Sequence, residues 1–497
     1  MRFILSIASL CVSLSSVSIA TEQPPAVSLS KPNILFIFSD DQCHEALSRF
    51  GSQVQTPNLD RLAEQGTVFR AAYNPGAWGA AVCASSRTML NTGRSLWRAH
   101  ALHNSWNKDD QPEGLWSQLM ADAGYHTYMA GKWHVKADAP AVFQTTVNVR
   151  GGMPKQTKAG YNRPKDAADY ANGWKPWDPQ HGGFWEGGKH WSEVLADDGI
   201  AFLQEAAGQD EPFFMYLAFN APHDPRQAPK QYVDQYPLES IEVPVNTLPE
   251  YPYNKQMGSP RGLRDERLAP FPRTDYSVKV NLQEYYAIIT HMDAQIGRIL
   301  EALEASGKAD NTVILFTADH GLAVGQHGLM GKQNMFEHSM RAPLILSGPG
   351  IPQAKEITTP VYLQDVMPTT LELAGREIPA EVDFKSLLPL VRGERIIQYP
   401  AIYGAYRDKQ RMVRLDRYKL IHYPTADATL LFDLQEDPHE MQNLADNPEY
   451  AETLRKCWAA LQELQAEFDD TLEIGTEDRS QVTGGRGHTR FAQLKLF

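Results

Sequence analysis

The sequence predicts an α/β fold: a helix–sheet–helix sandwich followed by a smaller C-terminal α+β domain. Three short apolar runs, residues 33–38, 213–219 and 313–317, read as strands buried on both faces, as in a parallel sheet. Helical patterns intervene, so helices are expected on both faces of that sheet. From about residue 395 the texture changes to paired short strands and a last amphipathic helix. The 497 residues suffice for a large α/β domain plus a smaller one, and 42% hydrophobic with 22% charged residues is ordinary for a globular chain. A net charge of −13 argues against a generic nucleic-acid binder, while leaving room for a local basic pocket that takes an anion.

Taken in order, residues 1–20 read as a secretory signal, with Arg2, a short apolar stretch and the small-x-small site Ser18-Ile19-Ala20. The expected destination is export, to the periplasm or medium. No later segment approaches the ~20 apolar residues of a transmembrane helix. The first strand ends in Ser39-Asp40-Asp41-Gln42. Thr56-Pro57 opens a helix, a capping residue then Pro at the first helical position, and Gly66 is expected to close it. Gly131-Lys132-Trp133-His134 sets a cation and an imidazole two apart, on one face of an extended segment. Residues 137–191 carry Tyr161, Tyr170, Trp174, Trp177, Phe184, Trp185 and Trp191, too many aromatics for a disordered segment. The second strand ends in Asn220-Ala221-Pro222-His223-Asp224-Pro225. Residues 250–275 bring Lys255, Arg261, Arg264, Arg267 and Arg273. A helix over 284–305 repeats Ile288, Ile289, Met292, Ile296, Ile299, Leu300 and Leu303 and stops at Gly307.

The third strand ends in Ala318-Asp319-His320-Gly321, with Lys332 twelve residues after His320. Met412–Leu415 and Tyr418–Tyr423 flank Asp416-Arg417 as a hairpin, Thr429–Leu434 is a further strand, and Glu449–Phe468 is a helix. Cys11, Cys43, Cys83 and Cys457 form no disulfide framework. Cys457, with Leu454 and Leu461 on its helix face, is expected to be buried and inert.

In open α/β sheets ligands bind beyond the carboxyl ends of the strands, and all three polar clusters follow such ends. Two acidic pairs at one sheet edge repel unless a cation sits between them, and carboxylates with a His suit a hard cation such as calcium. Singly, each feature has a plainer reading. An Asp pair is a turn or cap, a lone Cys a small buried residue, and a Lys a solvated group. Their convergence is what argues for a site.

Cys83-Ala84-Ser85-Ser86-Arg87-Thr88-Met89-Leu90-Asn91-Thr92-Gly93-Arg94 resembles the signature of the type I, formylglycine-dependent sulfatases of the alkaline phosphatase superfamily. The usual pattern is Cys-x-Pro-Ser-Arg, less often with Ala, and Ser85 departs from it. The resemblance extends from Lys31-Pro32-Asn33 to about Leu444. It takes in Thr56-Pro57-Asn58-Leu59-Asp60-Arg61-Leu62, Gly131-Lys132-Trp133-His134, Ala221-Pro222-His223, Thr317-Ala318-Asp319-His320-Gly321 and Arg341-Ala342-Pro343-Leu344-Ile345. Leu431-Phe432-Asp433-Leu434 with Asp437-Pro438 also fits.

The resemblance implies an alkaline-phosphatase-like catalytic domain over 30–394, a C-terminal subdomain over 395–475 and a polar tail over 476–497. It implies hydrolysis of sulfate esters by a formylglycine hydrate made from Cys83. A formylglycine-generating or anaerobic sulfatase-maturating enzyme would be needed as a partner. One calcium ion would be held by Asp40, Asp41, Asp319 and His320, with residue 83 completing the shell. Arg87, Lys132 and Lys332 would neutralise sulfate charge, His223 would protonate the leaving alcohol, and His134 would take a proton from residue 83. The substrate expected is a sulfated carbohydrate, such as a polysaccharide fragment. The aromatic segment either stacks on sugars or packs the lobe, and the basic residues of 250–275 could meet further sulfates. Two alternatives stand beside this: a phosphomonoester or diester hydrolase on the same fold, and a non-catalytic binding protein if Cys83 stays a thiol.

Overall fold

The apolar run after Lys31 shows no alternation, and in the computed structural model it forms the strand Asn33–Ser39 in the interior of an eight-stranded sheet. Residues 31–107, 112–155, 161 and 163–475 are described; the signal over 1–20 and the tail over 476–497 lie outside them. Leu35 and Ile37 enter the core on one face of the sheet, and Ile34, Phe36 and Phe38 enter the core on the other. A strand buried on both faces has no polar side to show, hence the continuous run.

Thr312–Ala318 and Phe213–Ala218 flank this strand in parallel. His126–Lys132 and Thr145–Arg150 continue the sheet beyond Phe213–Ala218. Leu344–Ser347, Gly66–Phe69 and Lys355–Ile357 continue it beyond Thr312–Ala318. The sheet is parallel apart from Leu344–Ser347, which runs against both its neighbours. Pro57–Glu64, Trp191–Ala207 and Asp275–Ala305 bury residues in the core on one face. Trp116–Asp122 and Val366–Leu373 do so on the other. The helix–sheet–helix sandwich is therefore present.

Two local readings change. Gly66 does not close the helix Pro57–Glu64, which is capped by Gln65; it opens the next strand. A Cβ there would lie 2.1 Å from the Leu346 carbonyl oxygen, so Gly66 permits close strand approach instead. The long helix begins at Asp275, nine residues before the first expected one, with the Thr274 hydroxyl accepting the Ser277 N–H at 3.2 Å. Its first turns are polar in sequence yet bury Val278, Val280 and Asn281.

The C-terminal strands Ala401–Tyr406, Gln410–Leu415, Tyr418–Tyr423 and Ala428–Asp433 form an antiparallel meander, with the hairpin at Asp416-Arg417. Its fifth strand, Gly76–Ala77, comes from far upstream and pairs in parallel with Ala401–Tyr406. The helix Ala451–Glu467 packs Trp458, Leu461 and Leu464 into the same core as Tyr73, Met89, Phe336 and Met340. The C-terminal sheet thus shares one core with the helix Val82–Thr92 and with the segment around Phe336 and Met340. Cys457 is buried there, and burial pushes its thiol up to about 12.

The joint also contains charge. Lys419 Nζ, fully buried, donates to Glu337 Oε1 (2.9 Å) and lies 2.8 Å from Glu440 Oε1. Removing it strands the buried Glu440 and leaves Glu337 with Arg341 and the Tyr73 hydroxyl. Lys419→Ala is therefore expected to cost about 3–5 kcal/mol, read from the midpoint of denaturant unfolding, and Lys419→Met, which restores volume without charge, should not rescue it.

Candidate active site

The site is assembled where the strands stop. The Asp40 N–H donates to the Ala221 carbonyl (3.0 Å), the Asp319 N–H to the Ser39 carbonyl (3.3 Å), and the Asp41 N–H to Asp319 Oδ1 (3.1 Å). Three neighbouring strand ends are thereby locked in register. Asp41 sits at φ 69°, the left-handed region, which turns its side chain back toward Asp40 and Asp319. Tyr285 holds this turn from the long helix. Its hydroxyl donates to the Asp41 carbonyl (2.8 Å) and accepts the Cys43 N–H (2.9 Å).

Lys132 ends its strand, and Cys83 is the second residue of the helix Val82–Thr92. Arg87, one turn further on, donates from Nε to Asp319 Oδ2 (3.0 Å) and from Nη1 to the Lys132 carbonyl (2.7 Å). Its guanidinium lies 4.5 Å from the Phe38 ring centroid, which gives the charge an aromatic face as well. Lys132 Nζ contacts Asp40 Oδ2, and Lys332 Nζ bridges both Asp41 oxygens at 2.7 and 2.8 Å. Three carboxylates are matched by three cations, and all six are buried.

The fields leave their mark on titration. Burial, then Asp319, raises the Asp40 pKa against the pull of Lys132. Burial opposes ionisation of Asp319 and of Cys83, yet both pKa values fall. His320 and Arg87 lower Asp319, while Lys132, Lys332 and His134 hold the Cys83 thiol well below its usual range. His134 Nδ1 lies 3.3 Å from Cys83 Sγ.

His223 faces the same cavity. Its Nδ1 contacts the Asp224 carbonyl and Oδ1, each at 2.9 Å, and its Nε2 lies 3.6 Å from Asp41 Oδ2. Burial alone would lower the His223 pKa; Asp41 and Asp224 reverse this and raise it. The cavity, of about 210 Å³, is lined by Cys83, His134, His223 and Lys332, with Ala80, Ala81, Met153, Leu263, Arg264, Asp265 and Gln333.

The catalytic and metal-ligand candidates from the sequence thus fall in one place, while of the basic residues of 250–275 only Arg264 lines the cavity. Arg264 was named only among the basic residues of 250–275, and Asp224, Tyr285 and Asp265 were not singled out as site residues. Asp224 sat in plain view beside His223; the others carry no local signal. Most of the aromatic segment serves packing, while the Tyr161 hydroxyl donates to Asp224 Oδ2 (3.2 Å). Trp174 and Phe184 are buried, Trp177 and Trp191 pack against the core, and no aromatic residue lines the cavity among the described residues.

Asp40, Cys83, Asp319 and His320 present ligand atoms within 4.8 Å of one another, a buried group that could hold a metal ion. Asp40 Oδ1 and His320 Nε2 are buried without a hydrogen-bond partner among the described residues. His320 Nδ1 lies 2.9 Å from the Gly321 carbonyl, which fixes the tautomer with Nε2 free to ligate. Nε2 lies 3.5 Å from Asp41 Oδ1 and 3.6 Å from Asp319 Oδ1. Burial opposes a proton on His320, but Asp319 and neighbouring groups push its pKa up to about 9, so this is a field that favours a cation. Hard oxygen donors with one imidazole fit calcium.

Fold and site together define a hydrolase of anionic esters, and comparison with known proteins narrows this. The family model Sulfatase matches residues 32–376, more than half the chain. A second, N-sulphoglucosamine sulphohydrolase, C-terminal, matches residues 325–467. The chain belongs to the sulfatase family and is a sulfuric ester hydrolase. It is 29% identical over 472 residues to a sulfatase of Formosa agariphila, covering 89% of this chain and 88% of that one. It is 27% identical over 541 residues to an N-acetylglucosamine-6-O-sulfatase of Bacteroides thetaiotaomicron, covering 93% and 91%. It is 30% identical over 446 residues to a choline-sulfatase of Rhizobium meliloti, covering 84% and 83%.

A solved structure in complex with its substrate D-glucosamine-2-N,6-O-disulfate superposes with a TM-score of 0.69 at 23% identity, over 90% of this chain and 100% of that one. A phosphonate monoester hydrolase from Silicibacter pomeroyi gives 0.70 at 23% identity, over 89% and 96%. These likenesses establish the alkaline-phosphatase-like fold.

Tyr285→Phe deletes the only hydrogen bonds of the Asp41 carbonyl and the Cys43 N–H among the described residues. It is expected to destabilise the protein by about 1–3 kcal/mol. It should also lower kcat, as Asp41 relaxes from its left-handed conformation. Unfolding midpoints and steady-state kinetics of the variant check both.

Proposed function

We propose that this chain removes sulfate from carbohydrates, using a formylglycine made from Cys83 and one calcium ion held by Asp40, Asp41, Asp319 and His320. The observation that carries this is the setting of Cys83. It sits at a helix N-terminus, among three carboxylates, His320, His134, Lys132 and Lys332, on the floor of the cavity. When present, the calcium ion supplies charge to polarise a sulfate oxygen and the formylglycine hydrate supplies the nucleophilic hydroxyl.

The chain's own residues do the rest. Lys132 and Lys332 neutralise the sulfate oxygens whose charge redistributes during transfer. Arg87 fixes Asp319 and the Lys132 backbone. Cys83 Sγ stands in for the oxygens of the modified residue, so the His134 Nδ1 contact marks the base that takes a proton there. His223, protonated under the field of Asp41 and Asp224, presents Nε2 to the leaving oxygen as general acid. Asp224 orients it.

Two alternatives lose ground on particular observations. Asp41, His223 and Asp224 also cluster closely enough for a second metal, as a phosphatase of this fold would often use. The Lys332 ammonium, 2.7 and 2.8 Å from the two Asp41 oxygens, supplies one positive charge where a second metal would stand. Choline sulfate would bring a quaternary ammonium to a wall carrying the Arg264 guanidinium and no aromatic face. A neutral polyol suits that wall, and the relatives named for sugar sulfates agree with it.

Export through the signal over residues 1–20 and conversion by a maturation enzyme complete the proposal. Peptide mass across Cys83, in protein from its natural source, should show the aldehyde despite Ser85; only unmodified thiol would promote the binding-protein reading. Metal analysis should find one calcium per chain, lost together with activity in Asp41→Ala. Full activity after exhaustive chelation, or two ions per chain, would defeat the metal assignment.

His223→Ala should slow sugar sulfates far more than activated aryl sulfates, because a phenolate leaves with little help from an acid. Equal losses on both substrate types would remove His223 from the role of acid.

A further inference from the structure

The five cations between residues 250 and 275 have separate fates. Arg273 is buried against Glu266, Arg261 pairs with Glu250 at the surface, Arg267 lies 5.5 Å from the Tyr161 ring centroid, and Lys255 is exposed. Only Arg264 of the five lines the cavity that holds Cys83.

Arg264 donates to Asp265 Oδ1 from Nε (2.8 Å) and Nη2 (2.6 Å). Nη2 also lies 3.4 Å from Asp224 Oδ1 and 3.4 Å from His223 Nε2, and Met153 Sδ touches Nη1. The Arg264 side chain is 34% exposed, whereas those of Asp224 and Asp265 are 3% and 5% exposed. Asp265 Oδ2 accepts from Gln333 Nε2 (2.7 Å), which anchors the carboxylate to the opposite wall. Because His223 Nε2 is the proposed proton donor to the leaving oxygen, Arg264 borders the alcohol part of the substrate and not the sulfate.

Charge decides what can bind there. Asp224 is shared among Arg264, His223 and the Tyr161 hydroxyl, Asp265 pairs with Arg264, and Lys332 is committed to Asp41, so neither cation on this wall is left without a carboxylate to receive a second anion. A second sulfate or a carboxylate on the substrate would meet Asp224 and Asp265 together with Arg264, and would lose its hydration beside them. A hydroxyl is neutral, accepts from the guanidinium and donates to a carboxylate. We propose that Arg264 and Asp265 form a hydroxyl-reading pair that selects sugars carrying an unsubstituted hydroxyl next to the sulfate ester. This rests on the carbohydrate reading above and adds a specificity to it: the basic stretch does not collect further sulfates.

The test compares kcat/KM of the wild type, Arg264→Ala and Arg264→Lys on four probes. These are the sugar monosulfate that the wild type turns over best, its deoxy analogue at the neighbouring position, the analogue sulfated there as well, and p-nitrophenyl sulfate. The wild type should lose about 10- to 100-fold on the deoxy analogue. Arg264→Ala should lose a comparable factor on the parent sugar, show little further loss on the deoxy analogue, and lower the ratio of sugar to aryl activity. Arg264→Lys keeps the charge but not the fork, so it should follow the Ala variant; it also replaces that variant if thermal melting shows the Ala protein misfolded.

Equal losses on the parent sugar and the aryl sulfate in both variants would reduce Arg264 to a structural part of the wall. A disulfated analogue preferred by the wild type, with the preference lost in Arg264→Ala, would make Arg264 an anion reader and overturn the proposal. A wild type that cleaves the aryl sulfate and no sugar sulfate would overturn the carbohydrate reading itself, and the pair with it.

Discussion

Three carboxylates and three cations buried in one place are the constraint around which this structure is organised. Asp40, Asp41 and Asp319 could not share a dry sheet edge without Arg87, Lys132 and Lys332, and none of the cations could be buried there without the carboxylates. The pairing is also exacting in geometry, because an ion pair in a low-dielectric interior offsets its desolvation only at close range. Five of the six are accordingly carried by rigid elements, and Lys332 by the irregular segment between residues 319 and 336. Asp40, Asp41, Asp319 and Lys132 come from strand ends, and Arg87 comes from a helix that packs against them.

The long helix Asp275–Ala305 supplies the support from below. Its apolar stripe packs on the sheet, but its polar residues do separate work. Tyr285 pins Asp41, Glu284 receives Arg163 and Trp174 from the aromatic segment, and Asp293 accepts the N–H groups of Asn58 and Leu59. Arg226 reaches Asn281 at 3.0 Å from the same loop that carries His223. One helix therefore ties the acid loop, the aromatic lobe and the first strand end to a common frame. The arrangement suits a reaction in which atoms move little and charge moves far.

What the sequence disclosed follows from which signals are local. A strand buried on both faces needs an unbroken apolar run, and the polar residue after it must stand at the sheet edge, so Asp40, Asp41, His223, Asp319 and His320 were readable as a group. The hairpin at Asp416-Arg417 was readable for the same reason. A two-residue strand such as Gly76–Ala77 has no period, and its role depends on Ala401–Tyr406 more than three hundred residues away. Gly66 looked like a helix stop because the close approach that requires glycine comes from Leu346. The five cations of 250–275 look alike in sequence; their partners, Glu250, Asp265, Glu266 and Tyr161, sort them, and that sorting belongs to the fold.

Ser85 shows the same division between chain and fold. In the folded protein Ser85 is fully buried, with its hydroxyl unpartnered among the described residues. Ser86 and Arg87 are as deeply buried, and Cys83 is 3% exposed. A maturation enzyme reading this stretch would find neither the thiol nor the flanking side chains within reach once the helix Val82–Thr92 has packed. On the proposed reading, then, conversion must come before that packing. The two consequences of Ser85 are consequently independent. Its effect on conversion is exerted on the unfolded chain, where the residue is simply a small polar side chain two places after the cysteine. Its effect on the finished enzyme is the desolvation of one hydroxyl, about 1–3 kcal/mol in a protein of this kind, and it leaves the charge balance of the site untouched.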